Sequence, residues 1–159
     1  MPDMLVKLYE LPKTYDPYES GDIKDAEIKI KRAMSPDMGK ILDFIKTHFG
    51  EGWAYECQRA FNNTPVSCYI AVRDKNVIGF ACYDCTALDY FGPVGVLESE
   101  RGNNIGKVLT LCCLNAMREK GYGYAIIGWV GPDKFYEKVC GAKIIENSTP
   151  GIYIDMVSL

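Results

Sequence analysis

The chain has 159 residues, 48% apolar and 25% charged, with a net charge of -3. That is the composition of an ordinary soluble globule, large enough for one core without staples. The absence of any basic run argues against nucleic acid or an anionic membrane as main partner. No apolar stretch approaches bilayer length, and Met1-Pro2-Asp3 does not open a secretory signal.

Residues 1–25 read as an N-terminal extension, and 26–159 as a single domain. In the extension, Met4 to Tyr9 alternates weakly and suggests an added strand before Pro12, while Lys13 to Asp25 reads as a polar surface connection. Ile28 and Ile30 then alternate with Lys29 and Lys31, as in a half-buried strand. Ser35-Pro36 is a helix start, with an N-cap hydroxyl and Pro at the first helical position. Met38, Ile41, Leu42 and Ile45 line one face of that helix, and Gly50 stops it. Trp53 to Phe61 suggests a second, shorter helix closed by Asn62-Asn63-Thr64-Pro65.

Two strands, Cys68–Arg73 and Val77–Tyr83, flank Asp74-Lys75-Asn76, a hairpin turn by composition. Cys82-x-x-Cys85 falls in the second extended run, where three-residue spacing points the thiols to opposite faces. No second Cys or His pair completes a zinc set, so structural thiols and no metal are expected. The seven cysteines are odd in number and mostly lie in apolar segments, which suits a reducing cytoplasm.

Leu88 to Leu97 is the third strand of this run and leads into the stretch that organises the chain. After Val94-Gly95-Val96-Leu97 comes a polar turn, Glu98 to Asn104, and then Ile105, Val108, Leu109, Cys112, Ala116 and Met117 at helical spacing. Arg118 and Lys120 precede Gly121, the expected helix stop. Gly102, Asn103, Asn104 and Gly106 all tolerate unusual backbone angles, so successive N–H groups can form one concavity at the helix head. Such a loop can hold phosphate, with Arg101 and Lys107 adding positive charge; a turn that binds nothing is the plain alternative. The spacing is neither G-x-x-x-x-G-K-[ST] nor G-x-G-x-x-G. Further on, Tyr124 to Val130 is a buried strand, Pro132 opens a helix that runs to Val139, and Gly141 caps it. Ala142–Glu146 and Ile152–Val157 read as two final strands around Thr149-Pro150-Gly151. The expected fold is α/β (α+β): a mixed, mostly antiparallel sheet with helices on both faces.

Arg101-Gly102-Asn103-Asn104-Ile105-Gly106-Lys107 after Val94-Gly95-Val96 resembles the acetyl-coenzyme A loop of the GNAT N-acetyltransferases, Arg/Gln-x-x-Gly-x-Gly/Ala after a strand. Asn104 replaces the first of those glycines, and Glu98 stands where many members have Pro. Phe135 to Ala142 is similar to the family's F-Y-x-K-x-G-F/A segment, while Trp129 replaces a common cofactor-contacting Asn. The resemblance spans about residues 26 to 157.

It implies an N-acetyltransferase that moves the acetyl group of acetyl-CoA, a co-substrate, to a primary amine by direct attack in a ternary complex. Val94, Val96, Arg101, Gly102, Asn103, Asn104, Ile105, Gly106 and Lys107 would then bind the cofactor, with the Val96 N–H polarising the carbonyl. Tyr136 matches the family's proton donor to the thiolate. Asp89 is the candidate base, with Tyr90 one residue away. His48, Glu51 and Trp53 lie in a segment that often covers the acceptor, and Trp53 and Tyr153 are expected as acceptor-pocket walls. The acceptor would be a small-molecule or peptide amine, a homodimer stays open, and the alternative is a non-catalytic acyl-CoA binding or sensing module of the same fold.

Overall fold

A computed structural model describes residues 1–157; Ser158 and Leu159, which the sequence assigns to the domain, lie outside the described residues. Eleven elements follow one another: β1 (Met4–Lys7), β2 (Lys29–Arg32), α1 (Met38–Phe49), α2 (Glu51–Ala60), β3 (Cys68–Arg73), β4 (Asn76–Tyr83), β5 (Tyr90–Val96), α3 (Ile105–Lys120), β6 (Tyr124–Ile127), α4 (Asp133–Cys140) and β7 (Lys143–Ile144). The strands form one seven-stranded sheet in the order β2-β3-β4-β5-β6-β1-β7. Every neighbouring pair is antiparallel except β5 and β6, which the α3 crossover makes parallel.

Period-two alternation divides the core between the two faces. On β4, Phe80 and Cys82 face α1 and α2, where they meet Ile41, Ile45, Ala54 and Cys57. Ala81 and Tyr83 face the other way, onto Ile105, Val108, Leu109, Cys113 and Met117 of α3. The fold is therefore the mixed sheet with helices on both faces that the sequence implies.

Local signals set most boundaries. Gly50, at φ 103°, ends α1 and admits α2. Asp74 and Lys75, both at positive φ, make a two-residue hairpin turn, and Asn76 already belongs to β4. Gly121 caps α3 in the left-handed conformation, donating to the carbonyls of Met117 and Arg118. At the head of α1 the expectation is only partly met. Ser35, Pro36 and Asp37 form a short 3-10 turn, no side chain caps it, and Met38 stays exposed rather than lining the core.

The final pair of strands is corrected more substantially. Only Lys143–Ile144 of the first is a strand, and Ile152–Val157 is none; Gly151–Tyr153 forms a 3-10 turn instead. The position beside β6 is already filled by β1. Met4 pairs with Ile127 on one side and Ile144 on the other, so the two ladders use both edges of the N-terminal strand. Met4, Val6 and Leu8 are buried there, which gives a four-residue strand its place. Nor is Lys13–Asp25 only a surface connection. Pro17 and Ile23 are buried, and the Tyr18 hydroxyl bridges the backbone of Ile28 and Ile30.

Candidate active site

Between β5 and β6 the sheet opens. The Leu97 N–H donates to Ile78 O at 2.9 Å. Hydrogen bonding alternates along an antiparallel ladder, so the N–H and C=O groups of Val96 and Val94 point the other way, toward β6. The β5–β6 pairing covers only Tyr90 with Ile126 and Phe91 with Ile127. Beyond it the Trp129 N–H bonds Asp3 Oδ1 at 3.0 Å and the Val130 N–H bonds Pro2 O at 2.9 Å, so the chain leaving β6 is held toward the N-terminus. The result is an unpaired backbone edge at Val94 and Val96.

A register shift sets which way β5 faces. Ala81 opposes Val94 but Tyr83 opposes Phe91, an extra residue on β5 at Gly92-Pro93, and Gly92 has φ 120°. Past it, Gly95 faces α1, and the Phe49 ring lies so close that no side chain would fit.

The 101–107 loop stands at the head of α3, against this edge. Gly102 (φ 95°) and Asn104 (φ 61°) curl the chain, and no side chain caps the helix. Among the described residues, the N–H groups of 102 to 107 donate to no acceptor. Six successive free donors at the positive end of a 16-residue helix make a cradle for a diphosphate. The side chains are partly committed. Lys107 Nζ lies 3.0 Å from Asp22 Oδ1, and Asn104 donates to Asp22 O at 3.0 Å. Burial works against the Asp22 carboxylate, yet hydrogen bonds from Lys107 and Tyr15 hold it below its ordinary range. Asn103 is turned toward Glu100, which Arg73 grips with two hydrogen bonds. Arg101 is exposed.

Tyr136 sits on α4 with its ring against Phe135 and Phe91, at 5.1 and 6.1 Å. Burial pushes its phenol well up, so it keeps its proton at neutral pH and has one to donate. Asp89 immediately precedes β5. Its N–H bonds Asp84 Oδ1 at 2.7 Å and its carbonyl accepts from Ile126 at 2.9 Å, which fixes a left-handed backbone at φ 69°. Its Oδ1 is buried and has no partner. Burial first, and the Asp84 charge second, push its carboxyl up to about 6. Asp84, itself buried, is held by Lys120 and by the Tyr122 hydroxyl.

The two aromatic candidates occupy separate places. Trp53 stacks on Phe49, which covers Gly95, so it stands on the α1/α2 face of β5. Tyr153 stacks on Trp129 at 4.9 Å, with its hydroxyl over Gly128 beside the Tyr90 ring. Burial raises the Tyr153 phenol, and the charges of Asp3, Glu56 and Tyr90 add to this. Glu56 is a site residue that helix patterning alone leaves unmarked. Its carboxyl is raised by burial, although the Thr86 hydroxyl donates to it. His48 packs on Phe44 and Phe49, and Glu51 pairs with Lys46 in solvent. Two shallow surface hollows, one beside His48 and Leu97 and the other between α4 and β7, include neither Asp89, Tyr136 nor the loop.

Residues 37–142 match the acetyltransferase (GNAT) family. No curated protein matches the chain in sequence. Among solved structures, the glucosamine N-acetyltransferase region of a fungal multi-domain β-N-acetylglucosaminidase is similar over 91% of this chain and 19% of that one, with TM-score 0.72 and 15% identity. A GCN5-related N-acetyltransferase from Sphaerobacter thermophilus is similar over 91% of this chain and 48% of its own, with TM-score 0.67 and 15% identity. Another, from Kribbella flavida, gives TM-score 0.57 at 16% identity over 90% of this chain and 53% of its own. The chain thus spans about half or less of the structures it matches, and the likeness is one of fold. The family match covers more than half of the sequence and contains the open strand edge, the uncapped helix head and Tyr136: the chain belongs to the acetyltransferase (GNAT) family.

Proposed function

We propose that the protein is an N-acetyltransferase that transfers the acetyl group of acetyl-CoA directly to a primary amine while both are bound. The observation that carries this reading is the run of six free N–H groups at the head of α3, set against the unpaired edge of β5. The first suits the diphosphate of the co-substrate. The second suits its amide-bearing arm, which can bond to Val94 and Val96 as a strand would, and leaves the Val96 N–H to polarise the thioester carbonyl.

The remaining groups suit the proton traffic. An alkyl ammonium of pKa about 10.4 is neutral in only about one molecule in a few thousand at pH 7. Asp89, with a free buried oxygen and a carboxyl at about 6, is ionised at neutral pH and takes that proton, directly or through water. The amine nitrogen attacks the carbonyl carbon, the carbon–sulfur bond breaks as Tyr136 gives its proton to the departing thiolate, and the second nitrogen proton returns to the Tyr136 oxygen, directly or through water. Trp53 and Tyr153 serve as walls of the acceptor pocket, with Glu56 and Trp129 beside Tyr153. The free cysteines support a reducing cytoplasm as its place of work, and no described helix is long and apolar enough to cross a membrane.

The test is release of free CoA from acetyl-CoA across a panel of small amines, amino sugars including glucosamine, and peptide amines. Turnover with at least one class, lowered roughly 10²- to 10⁴-fold in Asp89→Asn, is expected. Tight acetyl-CoA binding with no turnover on any amine would instead identify a non-catalytic acyl-CoA module.

A further inference from the structure

Three cysteines that are scattered in the sequence meet in the core beneath α2, and a fourth packs at their edge. Cys68 opens β3 and is the cross-strand partner of Cys82 on β4. Both side chains point to the α1/α2 face, where Cys57 of α2 comes down on them. The Cys57 and Cys68 sulfurs are 3.9 Å apart, and all three lie within 4.8 Å of one another, fully buried. A fourth thiol follows from a turn. β4 ends at Tyr83, Asp84 takes a positive φ of 55°, and Cys85 folds back with its S–H on Tyr83 O at 3.2 Å. Cys85 thus packs, half-buried, against the same core cluster, though its sulfur stays outside the group of three. The spacing argument that separates Cys82 and Cys85 assumes a strand running through both, and the strand stops between them.

We propose that Cys57, Cys68 and Cys82, closed by Cys85, are a binding site for one thiophilic d10 cation of the zinc(II) class. A zinc–sulfur bond of about 2.3 Å puts sulfurs about 3.8 Å apart in a tetrahedral site and about 4.0 Å apart in a trigonal one. The Cys57–Cys68 separation lies between these values, so that pair needs no rearrangement. An all-sulfur donor set selects soft ions over calcium or magnesium. Each ligating thiol loses its proton to solvent and the ion takes its place, so four thiolates and a divalent ion leave two negative charges rather than four. Cys85, at the edge of the same cluster with its S–H on Tyr83 O, supplies the fourth bond by turning inward from that carbonyl. The site lies apart from the loop 101–107 and from Tyr136, and it pins α2, a wall of the acceptor region, to the sheet.

The test uses the full chain, reduced and stripped of metal by a chelator, titrated with cobalt(II) and then zinc(II). One cobalt ion per chain should bind with the visible bands of a tetrahedral thiolate complex, about four protons should be released per ion, and zinc should displace it. Zinc should raise the melting temperature of the metal-free protein. Cys68→Ala should abolish the bands, and Cys85→Ser should weaken binding roughly 10- to 100-fold. Cys112→Ser, outside the cluster, should change nothing. Absence of thiolate bands in the wild type, binding without proton release, or equal affinity in Cys85→Ser and Cys112→Ser would show four core thiols packed as small apolar groups only. The last comparison decides the matter even if Cys68→Ala does not fold.

Discussion

Asp89 brings together three properties that rarely coincide in a structural carboxylate: a left-handed backbone, a buried oxygen without a donor, and a carboxyl near 6. Asn accepts the same backbone region and nearly the same volume, so Asp89→Asn removes the base and little else. Turnover should fall roughly 10²- to 10⁴-fold. In the wild type kcat/KM should rise with pH through about 6 as the carboxylate forms, and the variant should lack that limb. Stability moves in the opposite sense. A carboxyl raised by burial binds its proton more tightly when folded, so it favours folding at low pH and loses that contribution as pH rises through about 6. The variant should therefore melt no lower than the wild type at pH 8; a lower melting point together with an unchanged pH profile would make Asp89 structural. Tyr136 allows a parallel experiment. Its ring packs on Phe91 and Phe135, so Tyr136→Phe keeps the contacts and deletes only the proton. Acetyl-CoA affinity should stay within a few-fold while turnover drops roughly 10²- to 10⁴-fold. Unchanged turnover would pass the thiolate's proton to another group.

At the scale of elements, the head of α3 is a cradle partly shielded by the N-terminal segment. Asp22 holds Lys107 at 3.0 Å and Asn104 through its carbonyl, so a carboxylate already occupies the loop's lysine. Asp22→Asn keeps the backbone contact, frees Lys107 and removes a like charge. Acetyl-CoA should then bind roughly three- to tenfold more tightly, with the gain shrinking in high salt. Weaker binding would show that Asp22 orders the loop rather than competing with the ligand. Gly106→Glu should abolish binding, because a Cβ there makes only ordinary contacts with Phe135 and Val96 while the new carboxylate fills the cradle. Calorimetry on both variants separates these effects. The span of α3 was legible because its signals are local: apolar spacing, Asn104 before it, Gly121 after it. The loop's place between β5 and α3 followed for the same reason, since strand, loop and helix are contiguous. Lys107–Asp22, Thr86–Glu56 and the three clustered thiols were not legible, because each joins segments that are far apart in sequence and close only in the fold.

For the whole molecule, the least legible feature is the sheet's far edge, where β1 displaces the expected C-terminal strand. A segment such as Ile152–Val157 has strand-like composition, but pairing is decided by which segment buries more when it docks. Met4, Val6 and Leu8 are almost fully buried, whereas Ile152, Ile154, Met156 and Val157 stay exposed. Burying three such side chains is worth about 5–9 kcal/mol, comparable with the whole stability of a typical domain at about 5–15 kcal/mol. More than burial depends on this strand. β7 pairs only with β1 among the described residues, Asp3 holds the Trp129 N–H, and Arg118 of α3 reaches the carbonyls of Leu11, Pro12 and Lys13. Removing residues 2–10 should therefore abolish cooperative thermal unfolding, while ending the chain after Ile154 should leave the melting temperature within a few degrees. Val6→Asp keeps the full length and puts one unpaired charge into the same position, so it should reproduce the loss. If the shortened chain and Val6→Asp both melted like the wild type, the sheet would have to close without its N-terminal strand. The C-terminal segment would then be the natural candidate to fill the gap.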